Sequence, residues 1–372
     1  MTTFSLVALP IVVLILAVRH YQHIRRWIAS IAIPFLFRSN ASSPPTSTDV
    51  KRMMPYPARP IPGRERYRVM MDIRKLDTHN WLTLDQHYKE EHAVRDILLR
   101  DKREEVIQSL PEAAAACHEA LEVVAEFLCA RYPSMFQTLA LDGDTASIRN
   151  CMTGEQFAVR GPASSGDGID ALEAAVRLTM EDLSILMINE EGEYYLAASA
   201  SLFPTGWTVQ ERIGWTISRL HGPVPLWHQQ VANSVSKFLA RLTPNSPMER
   251  SNYFVEVKHP DEQLIEILYR PQGLCEKHDS RDPTPSDILI RKERQTFRRL
   301  PHSETILFGV KTYLTPLDQL SMPELENLVR EMKTWPDFVG EYKGKHVWGN
   351  KVLEYYQGRV RVAQATQEKL EV

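Results

Sequence analysis

Cysteine is scarce in the 372-residue sequence: Cys117, Cys129, Cys151 and Cys275 stand far apart, and none forms a CxxC pair. That spacing argues against a structural zinc site and against a disulfide framework, and it points to reduced thiols in a body facing the cytosol. An excess of positive charge is also missing. Lys and Arg total 44 against 47 Asp and Glu, for a net charge of −3, so the chain lacks the electrostatic footprint of a nucleic-acid binder. No GxGxxG follows a strand, and there is no Walker phosphate loop, HExxH or GxSxG. Nucleotide binding of those types and self-contained hydrolase machinery are thereby set aside.

One apolar run is present, at the start. Residues 4–18 read FSLVALPIVVLILAV without a charge. As a helix they span roughly 22 Å, or roughly 27 Å with the three residues before them, just short of a ~30 Å hydrocarbon layer. Pro10 would kink such a helix, which membrane helices tolerate. Arg19, Arg25 and Arg26 follow the run rather than precede it. That order favours a retained single-pass anchor over a cleaved signal, with the body on the cytosolic side. The patch WIASIAIPFLF at 27–37 suits an interfacial segment. Residues 39–63, rich in Ser and Pro, read as a linker. The expected organisation is an anchor at 1–26, patch and linker at 27–66, a folded domain at 67–345 and a C-terminal helix at 346–372.

Hydrophobic periodicity sets out the body. A helix is expected over 112–132, and short strands at SIRN and EQFAV. Residues 169–187 begin helical and turn extended, leading into a hairpin around Glu190, Glu191 and Gly192. Helices are expected over 208–221, ending at His221, and over 226–242. NYFVEV, DILIRKERQTFRRL and ETILFGVKTYL alternate as strands, and MPELENLVREMKT reads as a capped helix. Without a βαβ rhythm, the fold class is α+β with a largely antiparallel sheet.

Two segments are candidates for chemistry. His221 ends a helix and runs into Gly222-Pro223-Val224-Pro225, between Trp215 and Trp227. Proline fixes the chain direction there. A histidine held this way suits an axial metal ligand in an apolar wall, or simply a C-cap that favours the helix dipole. In the run 291–301, Arg291, Glu293, Gln295, Phe297 and Arg299 point one way, and Arg294, Thr296, Arg298 and Leu300 the other. Guanidiniums on both faces suit carboxylate ligands, or a salt-bridged edge strand. Glu293 reads as an ion-pair partner or as an acceptor for a cationic amine.

MEDL (180–183), IGWTISRLHGPVP (213–225), ERSNYF (249–254) and RKERQTFRRLPHSETILFGVKTY (291–313) resemble the haem-dependent oxidative N-demethylase family over about residues 67–345. The resemblance implies a PAS-like antiparallel sheet with surrounding helices, here preceded by one transmembrane helix. It implies haem b with His221 as the axial iron ligand, Arg294 and Arg299 at the propionates, and Trp215 beside the cofactor. It makes Glu293 the residue for amine binding or proton delivery, with Trp207 and Tyr253 as pocket or core residues. The implied activity is haem-dependent monooxygenation, an oxidative N-dealkylation of a secondary amine using dioxygen. Electrons would come from NAD(P)H through a separate flavin and iron–sulfur reductase partner. The anchor resembles the layout of microsomal monooxygenases, hence an endoplasmic-reticulum membrane, although no cysteine lies in a haem–thiolate context. A PAS-like haem sensor without turnover is the alternative, and a non-haem protein whose arginines bind anionic lipid is another.

Overall fold

Long antiparallel strands form where branched and aromatic residues alternate with polar ones. In the computed structural model, which describes residues 49–140, 145–161, 167–273 and 282–370, ten strands build two sheets. They are β1 (Arg74–Lys75), β2 (Ile107–Ser109), β3 (Phe136–Ala140), β4 (Ala146–Asn150), β5 (Gln156–Arg160), β6 (Asp182–Ile188), β7 (Tyr194–Ala200), β8 (Met248–Val257), β9 (Ile288–Arg299) and β10 (Ile306–Pro316). The larger sheet has seven strands in the order β1-β8-β9-β10-β6-β7-β2, and β3-β4-β5 forms a small one. Every pairing is antiparallel, and the longest register sets Phe308 opposite Phe297 and Lys311 opposite Arg294.

Helices Tyr88–Asp101, Ala114–Arg131 and Ile169–Leu178 pack with Leu183, Ile185 and Ala197 in the largest apolar cluster, where Leu98, Leu121 and Leu172 are almost fully buried. A second cluster joins helices Met322–Thr334 and Lys345–Leu370 to Ile288, Ile290 and Val255. A third sets Leu239 and Phe238 against Leu186, Leu196, Phe297 and Phe308. The hairpin expected at Glu190–Gly192 is the β6–β7 turn, where Gly192 takes φ +81° and Asn189 Oδ1 accepts from Glu193 N at 2.8 Å. Left-handed backbone of this kind favours glycine.

Three expectations change. The helix expected over 208–221 is two short helices, Val209–Arg212 and Ile217–Leu220. Gly214 at φ +79° breaks it, and its N–H donates to Leu196 O at 2.8 Å while Leu196 N donates to Trp215 O at 3.0 Å. Pairing with β7 thus outweighs helix continuation. The helix expected over 226–242 is also divided, into Trp227–Gln230 and Ala232–Arg241. Residues 49–66, expected as a free spacer, pack on the body. Val50 and Ile61 are each 2 % exposed, and Ile61 is held by Glu324 Oε1 and Asn327 Nδ2. The apolar run at 4–18, the 27–37 patch and Cys275 lie outside the described residues. Among the described residues, no helix is long and apolar enough to cross a membrane.

Candidate functional site

A cavity of about 790 Å³ opens between the large sheet and the segment that returns across it from 204 to 242. That volume lies within the range of small-molecule and cofactor pockets, about 300–1,000 Å³. One wall is apolar, carrying Leu186, Leu196, Val235, Phe238, Phe297 and Phe308. Another carries charge: Arg212, Arg250, Glu293 and Lys343.

His221 stands in the apolar part, and its position is built step by step. Thr208 Oγ1 accepts from Glu211 N while the Glu211 carboxylate accepts from Thr208 N, a capping box that starts the first short helix. After the Gly214 turn, Thr216 Oγ1 accepts from Arg219 N and caps the second helix. His221 closes that helix. Its Nδ1 lies 2.9 Å from the Ile217 carbonyl. A carbonyl only accepts, so Nδ1 carries the proton and Nε2 keeps its lone pair. The Gly222–Pro225 stretch then turns the chain, and Leu226 takes φ +63°. A left-handed non-glycine residue costs about 1–2 kcal/mol. Leu226 leads straight into Trp227, whose ring stacks on the imidazole with centroids 3.9 Å apart and planes at 11°. The imidazole is therefore clamped on one face and tied at one nitrogen.

Burial holds the His221 pKa down to about 4, and the positive charges of Arg250 and Arg212 add to the effect against the Ile217 carbonyl. At neutral pH the ring is uncharged. A neutral, oriented imidazole on a cavity is the donor a haem iron takes. Close by, Arg250 from β8 donates through Nη1 to Gln295 Oε1 at 3.1 Å, while its buried Nε has no hydrogen-bond partner among the described residues. Arg212 donates to Gly206 O at 3.1 Å and packs on Trp207, with no carboxylate within ion-pair distance among the described residues. Guanidiniums with spare donors suit the carboxylates of a porphyrin. The lone pair on His221, the apolar wall and these open donors together fit a haem. Among the described residues, no three His, Cys, Asp or Glu side chains converge to cage a bare ion.

The structure brings His221 and Glu293 to the same cavity. Glu293 Oε2 accepts from Gln295 Nε2 at 2.8 Å, so Gln295 links Glu293 to Arg250. Trp207 and Tyr253 also line it. Trp215 lines no part of it; its ring lies 3.8 Å from the Arg219 guanidinium and 5.9 Å from that of Arg212. Arg294 points to the opposite face of β9. It is paired with Glu249 at 2.7 Å, donates to Trp81 O at 3.1 Å and stacks over Tyr56. Arg299 is spent on the carbonyls of Leu242, Leu239 and Glu304 and on Tyr194 Oη. Both arginines are thus engaged by protein acceptors, and neither lines the cavity, whose arginines are Arg212 and Arg250 together with Arg59, Arg64, Arg66 and Arg68. Neither Arg212 nor Arg250 was singled out by the sequence. Arg250 lies inside the ERSNYF segment, but its side of β8 follows only from the register with β9, where it sits opposite Gln295.

Residues 72–353 match the model of the family described as haem-dependent oxidative N-demethylase, alpha subunit-like. The match covers more than half of the chain and takes in His221, Arg212, Arg250 and Glu293. The chain therefore belongs to the haem-dependent oxidative N-demethylase alpha subunit-like family, a family of haem-dependent oxidoreductases.

Proposed function

We propose that the cavity holds haem b on His221 Nε2 and performs oxidative N-dealkylation of a secondary amine, as a monooxygenase. The observation that carries this reading is the Nδ1 contact to the Ile217 carbonyl, which leaves a neutral Nε2 lone pair at an apolar cavity wall. Haem, when bound, supplies dioxygen activation and one-electron chemistry that no side chain here can supply. The chain's own residues do the rest. His221 Nε2 would hold the iron. Arg250 and Arg212 would pair with the carboxylates of the haem. Glu293 keeps one oxygen on Gln295 and offers the other to a substrate ammonium, an attraction strengthened away from water. The apolar wall excludes water from the reacting carbon. The reaction releases an amine and an aldehyde. Electrons come from NAD(P)H through a separate flavin and iron–sulfur reductase.

The test is spectroscopic and kinetic. Purified 45–372 should show a Soret band that shifts with carbon monoxide after reduction, and a suitable reductase should support amine-dependent oxygen uptake. A colourless protein that retains haem no better than albumin would overturn the reading.

A second reading is favoured by the strand order. Counted from β6, the five central strands run 2-1-5-4-3, which supports a PAS-like sheet, a scaffold that serves sensors as well. A haem spectrum without amine-dependent oxygen uptake would select the sensor. We further propose that residues 4–18 anchor the chain in the endoplasmic-reticulum membrane with the body in the cytosol, from their length and the basic residues behind them. Release of the full-length chain from membranes by carbonate would remove the anchor.

A further inference from the structure

One amine in the cavity is left over by this reading. Lys343 follows helix Asp337–Tyr342, its backbone N–H closing the last turn onto Val339 O at 3.0 Å. Its side chain enters a cage of three rings, with Nζ 5.1 Å from the centroid of Tyr253, 5.5 Å from Phe254 and 5.2 Å from Trp335. Other lysines drawn into the body have oxygen partners: Lys311 has Asp85 and Thr83 O, Lys292 has Glu324, and Lys345 has Met332 O. Lys343 Nζ has none among the described residues, and it lines the cavity. Neither nearby carboxylate is hydrogen-bonded to Nζ among the described residues. Glu331 on helix Met322–Thr334 accepts from Tyr253 Oη and from Arg64 N, and Glu293 on β9 accepts from Gln295.

We propose that Lys343 Nζ is a carbonyl-accepting amine, which condenses with small aldehydes in the cavity and holds them as an imine. The proposal takes from the preceding section only that an aldehyde is released there. In the step, the nitrogen lone pair forms a C–N bond to the carbonyl carbon, and the C=O pair moves to oxygen and takes a proton. Loss of water then gives C=N, and hydrolysis returns the amine and the aldehyde. The chemistry needs a desolvated amine that spends part of its time unprotonated. Burial supplies this, lowering the Lys343 pKa to about 8 against the opposing pull of Glu331 and Glu293 and with the help of Arg64. The three rings surround the amine without capping it by a hydrogen bond; their faces attract the ammonium form, and burial has to outweigh that as well.

The experiment is reductive labelling of the purified full chain with isotopic formaldehyde and cyanoborohydride at pH 8, followed by peptide mapping. Lys343 should be methylated at least roughly tenfold faster than exposed lysines such as Lys89 and Lys237. Labelling no faster than theirs would overturn the proposal, and so would persistence of the fast adduct in Lys343→Arg. The wild-type comparison needs no variant to fold. Because the aldehyde is supplied from outside, fast labelling without amine turnover would remove the demethylase reading and leave this one. Turnover with slow labelling would do the reverse.

Discussion

The two faces of β9 differ in how their polar groups are satisfied. On one, Arg294 and its Glu249 partner, each 4 % exposed at the side chain, close on each other and on Trp81 O. Its neighbour across the ladder, Lys311, closes on Asp85 at 2.7 Å in the same way. On the other face, Glu293, Gln295 and the facing Arg250 are hydrogen-bonded in a chain at the cavity, and Arg250 Nε is buried without a hydrogen-bond partner among the described residues. Burying a polar group without a partner costs about 1–3 kcal/mol, and Arg250 Nε is such a group on a residue that lines the cavity. The same strand thus carries one face closed on the body and one that lines the cavity, and residue type does not tell them apart. Arginine stands on both.

The largest break in that comparison is expected at the cavity wall. His221→Ala should abolish the Soret band of the purified protein while leaving the far-ultraviolet circular dichroism unchanged. Added imidazole should restore part of the band by refilling the vacated position. A variant that keeps its full spectrum would place the axial ligand elsewhere.

Next is the closed face. Arg294→Ala removes one of two arginines on Glu249 and leaves Arg74 Nε on the other oxygen at 2.5 Å, so the cost should be lower than the about 3–5 kcal/mol of a buried pair broken on one side. The urea midpoint should fall accordingly, with the haem spectrum of the remaining folded protein unaltered. If Arg294→Ala instead lost haem at unchanged stability, the two faces would have to exchange roles. Arg250→Leu should do the opposite. It removes an unfulfilled buried donor, so folding stability should stay within about 1 kcal/mol, while haem retention weakens about tenfold or more for a lost charge-assisted contact of about 1.5–3 kcal/mol. Haem transfer to apomyoglobin measures that difference directly.

Much of the fold was legible because periodicity is local. The alternation in DILIRKERQTFRRL and ETILFGVKTYL became β9 and β10, and the turn at Gly192 became the β6–β7 hairpin. His221 and Glu293 were legible as a helix-terminal histidine and a carboxylate among arginines. What escaped the sequence depends on long-range partners. The choice of Arg250 over Arg294 turns on which side of the sheet Glu249 and Trp81 occupy. The break at Gly214 turns on Leu196, a residue on another strand. Arg299 reads as a ligand-binding cation until the end of helix Ala232–Arg241 presents it with two carbonyls.

The smallest effect is a dependence on pH that belongs to His221 at the cavity. The folded pKa of His221, about 4, lies below its ordinary value of 6.5. Between those values the unfolded chain holds a proton on this residue that the folded chain does not, so the contribution of His221 to stability rises with pH across about 4 to 6.5 and is level above, while Glu91, raised to about 8, contributes the opposite slope whether or not His221 is present. In acid, the folded state must either charge a buried ring beside Arg250 and Arg212 or give way. The ceiling on the slope is about 1.4 kcal/mol per pH unit for one proton, and water entering from the cavity brings it lower. Urea midpoints of the haem-free protein at several pH values between 4.5 and 7.5 would measure it. His221→Phe keeps an aromatic ring against Trp227 and removes the titration, so its curve should lack the His221 rise over this window relative to the parent. Parallel curves for the two proteins would mean that His221 is as readily protonated in the folded chain as in the unfolded one, and the neutral Nε2 at the cavity wall would be lost as the basis for iron ligation.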